Sequence, residues 1–309
     1  MVCQCPMRYV LRRLKRAFME RFRHAGILTR LHVARLRAQG VFTTLVRRSA
    51  NLVYRSSRHT DFIVLCAPRT GSTYLSSLLG SHPNIRMHGE LFSTSNLLVC
   101  PRVRRAPVQY LRHEVYSCYP PRIRAVGFNL LYYHARSGRT GVPPMDPKAF
   151  TDQERERLER IWEYLRRREE LRVVHLRRRN PLRSLASGAV AMATEQWSRQ
   201  AWEPERSPEV RVRLEPARAL KRLEETAQAA AVCQCLFARH PCLDVYYEDL
   251  VNSRDSEIRR IHDFLGVPWA APSSMLQRQN PRPLPEMLSN YDELKAALAG
   301  TRWEALLET

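Results

Sequence analysis

The sequence predicts an α/β fold: a P-loop-like, mainly parallel sheet flanked by helices, with a basic helical N-terminal extension. Three observations carry that expectation. Between about 60 and 266, short apolar runs alternate with helical patterns, as strands joined by crossover helices do. One alternation, Phe62 to Leu79, passes from an apolar run through a short glycine turn straight into a helix. Residues 1–58 are arginine-rich and nearly free of acids, so the chain divides into an extension, 1–58, and one α/β domain, 59–309.

A chain of 309 residues with 44% hydrophobic content buries the core of one large domain, not two. Its formal net charge of +21 implies an anionic partner. Only Lys15, Lys148, Lys221 and Lys295 are lysines. A GC-rich genome explains so much arginine as well as selection for binding does, and no nucleic-acid module is recognised, so nucleic acid is not the expected partner. Eight cysteines spread along a chain that needs no staples favour free thiols in a reducing compartment. The pairs Cys3/Cys5 and Cys233/Cys235 lack the two-residue gap and partner histidines of common zinc sites, so no metal is expected. No apolar run approaches the roughly 18 to 20 residues of a membrane span. The N-terminus lacks the apolar core of a signal peptide. The simplest location is the cytoplasm.

In chain order, Met7, Leu11, Leu14, Phe18 and Phe22 share one helical face, with Arg8, Arg12, Lys15, Arg16 and Arg23 around it. Such a helix over 7–23 either rests on an anionic membrane surface or packs on the domain with its basic side solvated. Phe62 to Cys66 reads as a buried parallel strand, Pro68 to Ser72 as a turn, and Tyr74, Leu75, Leu78 and Leu79 as a helix face. The turn's N–H groups and the helix's positive end converge there, and Arg69, Ser72 and Thr73 add side-chain donors, which makes a phosphate or sulfate site. Pro83 ends the helix, Ile85 to Met87 form a short extended piece, and His88, Gly89 and Glu90 sit just past it. Beyond a strand's carboxyl end Glu90 faces the same cleft, or else pairs with an arginine.

Residues 93–122, interrupted by Pro101, Pro107, Pro120 and Pro121, read as a surface excursion that lines an acceptor site. Ala125 to Tyr133 is a strand, and His134 after it is either a cleft residue or an ordinary hydrogen-bonded histidine. A loop over 138–150 leads to Thr151, which with Glu154 forms a capping box for a helix carrying Leu158, Ile161, Trp162 and Leu165. The strand Leu171–Arg177 runs into Arg178–Gly188, where arginines and Ser187 form a second phosphate corner. A polar stretch with Trp197 and Trp202 follows, then a helix over Pro216–Ala238, a strand over Cys242–Tyr247 and a helix over Ser256–Leu265 stopped by Gly266. The segment Arg278–Leu284 either closes over a bound nucleotide or packs on the domain, and a last helix spans Tyr291–Leu307.

Two such corners in this order resemble the nucleotide-dependent sulfotransferases of the carbohydrate-directed and bacterial type. Pro68-Arg69-Thr70-Gly71-Ser72-Thr73 is similar to that family's 5′-phosphosulfate loop, with Arg69 where small-molecule members have lysine. Arg179-Asn180-Pro181, with Ser187 eight residues after Arg179, is similar to its 3′-phosphate element, and Tyr247-Glu248-Asp249-Leu250 to a further recurrent segment. The first loop lacks the glycine-lysine-serine/threonine ending of a kinase or NTPase. The resemblance covers about 60–300. It implies transfer of a sulfuryl group from 3′-phosphoadenosine 5′-phosphosulfate, without a metal, to a hydroxyl or amine, with a glycan or glycolipid as the favoured acceptor. It implies Arg69, Thr70, Gly71, Ser72, Thr73, Tyr74, Arg179 and Ser187 as nucleotide ligands, with Arg69 also assisting catalysis. Glu90 is the implied base and His88 and His134 its substitutes. The alternative class is a basic nucleic-acid- or membrane-binding protein on a non-catalytic nucleotide fold.

Overall fold

The structure, a computed structural model, describes residues 58–93, 96–97, 100–134, 151–203, 209–277 and 281–307. The expected helix over 7–23, the loop over 138–150 and the start of the Arg278–Leu284 segment lie outside the described residues. Among the described residues seven strands occur in chain order: β1 (Thr60–Cys66), β2 (Ile85–Glu90), β3 (Ala125–Leu131), β4 (Arg172–Arg177), β5 (Arg199–Gln200), β6 (Cys242–Tyr246) and β7 (Leu276–Gln277). Five of them form one sheet in the order β2-β3-β1-β4-β6, every pairing parallel. The short β5 and β7 pair antiparallel in a separate ribbon.

β1 is central because its sequence allows nothing else. Phe62, Ile63, Val64, Leu65 and Cys66 are all buried, and only a strand covered on both faces can be apolar without alternation. Successive residues supply opposite layers. Ile63 and Leu65 join Phe128, Leu130 and Val173 beneath α2 (Asp152–Arg166) and the second half of α4 (Pro216–Leu236). Phe62, Val64 and Cys66 join Val174 and Leu176 beneath α1 (Ser72–Gly80) and α6 (Arg254–Leu265). A third cluster unites α3 (Pro181–Thr194), the start of α4 and α7 (Tyr291–Leu298). Short α5 (Tyr247–Asn252) follows β6 directly.

Three expectations change. β2 runs to Glu90 rather than ending at Met87, because a bulge lies between Met87 and Glu90 and Gly89 adopts φ +69°. That bulge re-aims the strand end and sets Glu90 beside Asn129 of β3. Residues 93–122 are not a surface excursion: Leu97, Val103, Leu111 and Val115 are fully or almost fully buried. Pro101 and Pro107 open short helices, Pro101–Arg105 and Pro107–Tyr110, where a missing N–H costs nothing. The last helix stops at Leu298 and resumes only as a 3₁₀ turn, Glu304–Leu307, because Gly300 takes φ +70° between them.

The chain winds β1, β2, β3 on one side of the sheet and then crosses to β4 on the other side of β1. The strand order therefore reverses at the carboxyl end of β1, where an open parallel sheet forms its crevice. No helix among the described residues is long and apolar enough to cross a membrane.

Candidate active site

A cleft of about 720 Å³ opens at that crevice. It is lined from the β1–α1 turn by Arg69, Gly71, Ser72, Thr73 and Tyr74, from β2 by Gly89 and Glu90, and from the end of β3 by Asn129, Leu131 and Tyr133. Arg178 and Ser187 border it from the second corner, and Trp197 and Tyr247 from the far side.

The β1–α1 turn is held by its own backbone shape. Gly71 caps α1 at φ +89°, and a Cβ there would lie 2.4 Å from the Tyr247 ring, so both conformation and space require glycine. Arg69 is left-handed at φ +60°, an unusual conformation for a side-chain-bearing residue. Its turned-out carbonyl accepts from Arg178 Nη1 at 3.1 Å and from Ser184 Oγ at 3.3 Å. The second corner thus pins the first. Thr70 is buried and donates its hydroxyl to Ala67 O at 2.8 Å, so its side chain shapes the turn instead of lining the cleft.

The Arg69 guanidinium reaches across the cleft. Nε and Nη2 donate to Ser187 Oγ at 3.3 and 3.1 Å, and Nη1 donates to Trp197 O at 2.7 Å. Residues from the two corners, 118 positions apart, are therefore hydrogen-bonded to each other. Burial disfavours the charge on Arg69, with Tyr247 and Glu90 favouring it. Burial likewise raises Glu90 above the ordinary carboxylate range, opposed by Arg69. Glu90 is the one carboxylate lining the cleft among the described residues.

Arg179 lies elsewhere. Its guanidinium makes a bidentate pair with Asp249, at 2.7 and 2.8 Å, and stacks 4.5 Å from the Tyr246 ring centroid, and it does not line the cleft. Arg178, its neighbour, does, stacking on Tyr247 at 4.9 Å. Strand alternation explains the difference, since neighbours at a strand's end point apart. The two substitute bases are also away from the cleft. His88 bonds to Tyr119 Oη at 2.9 Å. His134 is fully buried, accepts from Leu131 N at 3.3 Å, and is pushed by burial down to about 3.

The sequence reading named Trp197 and Tyr247 but gave neither a role in the site. Tyr247 follows the carboxyl end of β6, the signal that would have found it. Trp197 sits in a polar loop without periodicity and carries no such signal.

The profile of the "Sulfotransferase family" matches residues 61–271. "Nodulation protein H" of Rhizobium tropici is 28% identical over 256 residues, covering 80% of this chain and 92% of that protein. Its counterpart from Rhizobium meliloti (strain 1021) is 26% identical over 258 residues, covering 80% and 94%. Among solved structures, a sulfotransferase from Alicyclobacillus acidocaldarius is similar at 14% identity and a TM-score of 0.42, over 81% of this chain and 96% of that one. A mouse sulfotransferase complexed with PAP is similar at 13% identity and a TM-score of 0.37, over 81% and 76%.

Proposed function

The chain belongs to the sulfotransferase family, and we propose that it transfers a sulfuryl group from 3′-phosphoadenosine 5′-phosphosulfate to a hydroxyl or amine of a glycan or glycolipid. The observation that carries this reading is the junction of two strand-to-helix corners across one cleft, where Arg69 of the first corner is hydrogen-bonded to Ser187 of the second and Glu90 is the one lining carboxylate among the described residues. A donor bearing phosphate at both ends uses both corners; a simple nucleotide uses one.

In this reaction the acceptor oxygen or nitrogen attacks sulfur while the bond from sulfur to the 5′-phosphate oxygen breaks. The acceptor's proton passes to Glu90, and the bonding electrons go to the phosphate. Arg69 and the N–H groups of Gly71 to Thr73 neutralise the charge that develops there. Because little covalent chemistry falls to the protein, in-line positioning supplies much of the rate. A carboxylate raised above its ordinary range suits the base, since proton transfer is most effective when the acceptor's pKa approaches the working pH. The 3′-phosphate belongs to the corner of Arg178, Arg179 and Ser187.

The glycan side of the reading rests on the carbohydrate-type first loop and on Trp197, 56% exposed at the cleft's edge, whose ring carries the Arg69 guanidinium 5.9 Å from its centroid and offers its remaining exposed apolar surface to a sugar ring. A cytoplasmic protein whose residues 7–23 touch an anionic membrane would meet a glycolipid acceptor there. The test is transfer of labelled sulfate from the donor into a whole-cell extract, with the labelled product identified. Labelled saccharide supports the reading; transfer to small phenols alone removes the glycan acceptor, and no transfer to any product removes the activity.

A further inference from the structure

A second concavity, sharing no lining residue with the cleft, lies between α2 and the segment 105–112 and encloses about 590 Å³. Six arginines line it: Arg105, Arg112, Arg157, Arg160, Arg167 and Arg168. The only carboxylate among its lining residues is Glu163, already bound by Arg166 and Arg167. Arg168 pairs with Asp61 and Glu170. Among the described residues, Arg105, Arg112, Arg157 and Arg160 have no carboxylate within salt-bridge distance. Glu154, one turn before Arg157 on α2, attracts it without a salt bridge, and the guanidiniums gathered at one groove still repel one another and cost stability unless an anion joins them.

The array is linear. Arg157 and Arg160 on α2 and Arg167 at its C-cap, the last shared with Glu163, span ten residues, about 15 Å at the helical rise. That length exceeds a single phosphate or sulfate group and suits a chain with repeated charges. A concave groove fits a chain better than it fits the plane of a bilayer. Its one aromatic ring, Tyr164, is occupied by the guanidiniums of Arg112 and Arg168, 5.2 and 5.6 Å from its centroid, which removes the free stacking platform that single-stranded nucleic acid uses. Guanidinium forks match carboxylate and sulfate oxygens in pairs.

We propose that this groove binds an anionic polysaccharide, carboxylated or sulfated, at a site separate from the cleft. The site does not depend on the transfer reaction. Labelled dextran sulfate is titrated against the full chain, against Arg157→Glu/Arg160→Glu, and against Arg218→Glu/Lys221→Glu. The last pair is exposed on α4, outside the groove, and lowers the net charge equally. The groove pair weakens binding about tenfold or more and flattens its salt dependence, whereas the α4 pair changes it less than about threefold. Equal losses in both pairs mean that binding follows net charge, and overturn the site. A single-stranded oligonucleotide of matched charge, or anionic phospholipid vesicles, displacing dextran sulfate from the groove at lower charge concentration overturns the polysaccharide in favour of that competitor. Thermal unfolding reports whether each variant is folded; if charge reversal lowers the midpoint, Arg157→Gln/Arg160→Gln carries the comparison, with the same ordering expected and equal losses again decisive against it.

Discussion

Burial raises the Glu90 carboxyl and Arg69 beside it pulls the other way, a balance that is measurable. Glu90→Gln should lower sulfuryl transfer by about 10² to 10⁴ while leaving binding of 3′-phosphoadenosine 5′-phosphate nearly intact. Because burial raises Glu90, the transfer rate should climb with pH through a limb above the ordinary carboxylate range. Arg69 favours the ionised form, so Arg69→Gln should move that limb higher still in whatever activity remains. A wild-type limb at an ordinary carboxylate value contradicts the assignment of Glu90. The arginines of the second corner divide by geometry. Arg178 lines the cleft, whereas Arg179 must leave Asp249 to reach a 3′-phosphate. Alanine variants of each, titrated with nucleotides having and lacking that phosphate, decide between them: selective loss at Arg179 means it swings in, and selective loss at Arg178 alone means Arg179 is a frame. Arg69 was legible because it follows a strand's carboxyl end, Glu90 because it stands at one, and Ser187 because the resemblance places a serine eight residues after Arg179. The partner of Arg179 was not, since Asp249 is 70 residues away and nothing local announces the pairing.

The element that shapes the site is the strand, turn and helix from β1 to α1. Gly71→Ala combines a left-handed backbone, costing about 1–2 kcal/mol for a residue with a Cβ, with overlap onto the Tyr247 ring. It should lower the unfolding midpoint and abolish nucleotide binding together; retention of both would show that Tyr247 is not held there. This corner and the capped start of α2 were readable because local chemistry suffices to build them. Thr151 accepts from Glu154 N at 3.3 Å and Thr151 N donates back to Glu154 at 3.0 Å, as the sequence box requires. The segment 93–122 was misread for the opposite reason. Its helices are too short for periodicity to show, and their burial comes from the sheet and α2 rather than from anything in the segment. The extent of β2 was missed because a bulge defeats strict alternation.

At the scale of the whole molecule, buried histidines make stability depend on pH. Burial lowers His134 from 6.5 to about 3 and, with its neighbour His82, lowers His262 from 6.5 to about 4. Below about 6.5 the unfolded chain takes up protons that the folded chain refuses, so stability should fall as pH drops towards 4. The unfolding midpoint should therefore decline from pH 7 to pH 5, less steeply in His262→Leu, whose native ring bonds to nothing through either nitrogen. A flat midpoint across that range contradicts both histidines. The bond between Arg69 and Ser187 has a further consequence, for the order in which the molecule comes into being. It spans 118 residues, and Gly71 and Tyr247 meet across a greater separation still. Closing such loops is entropically costly, and all-parallel sheets assemble slowly. A chain emerging from the ribosome lacks the Tyr247 wall of the cleft until β6 has joined, so the nucleotide meets the whole site only after most of the sheet is in place. It acts instead by slowing the unfolding of chains in which β6 has already joined, so that its binding reports the closure of the five-stranded sheet.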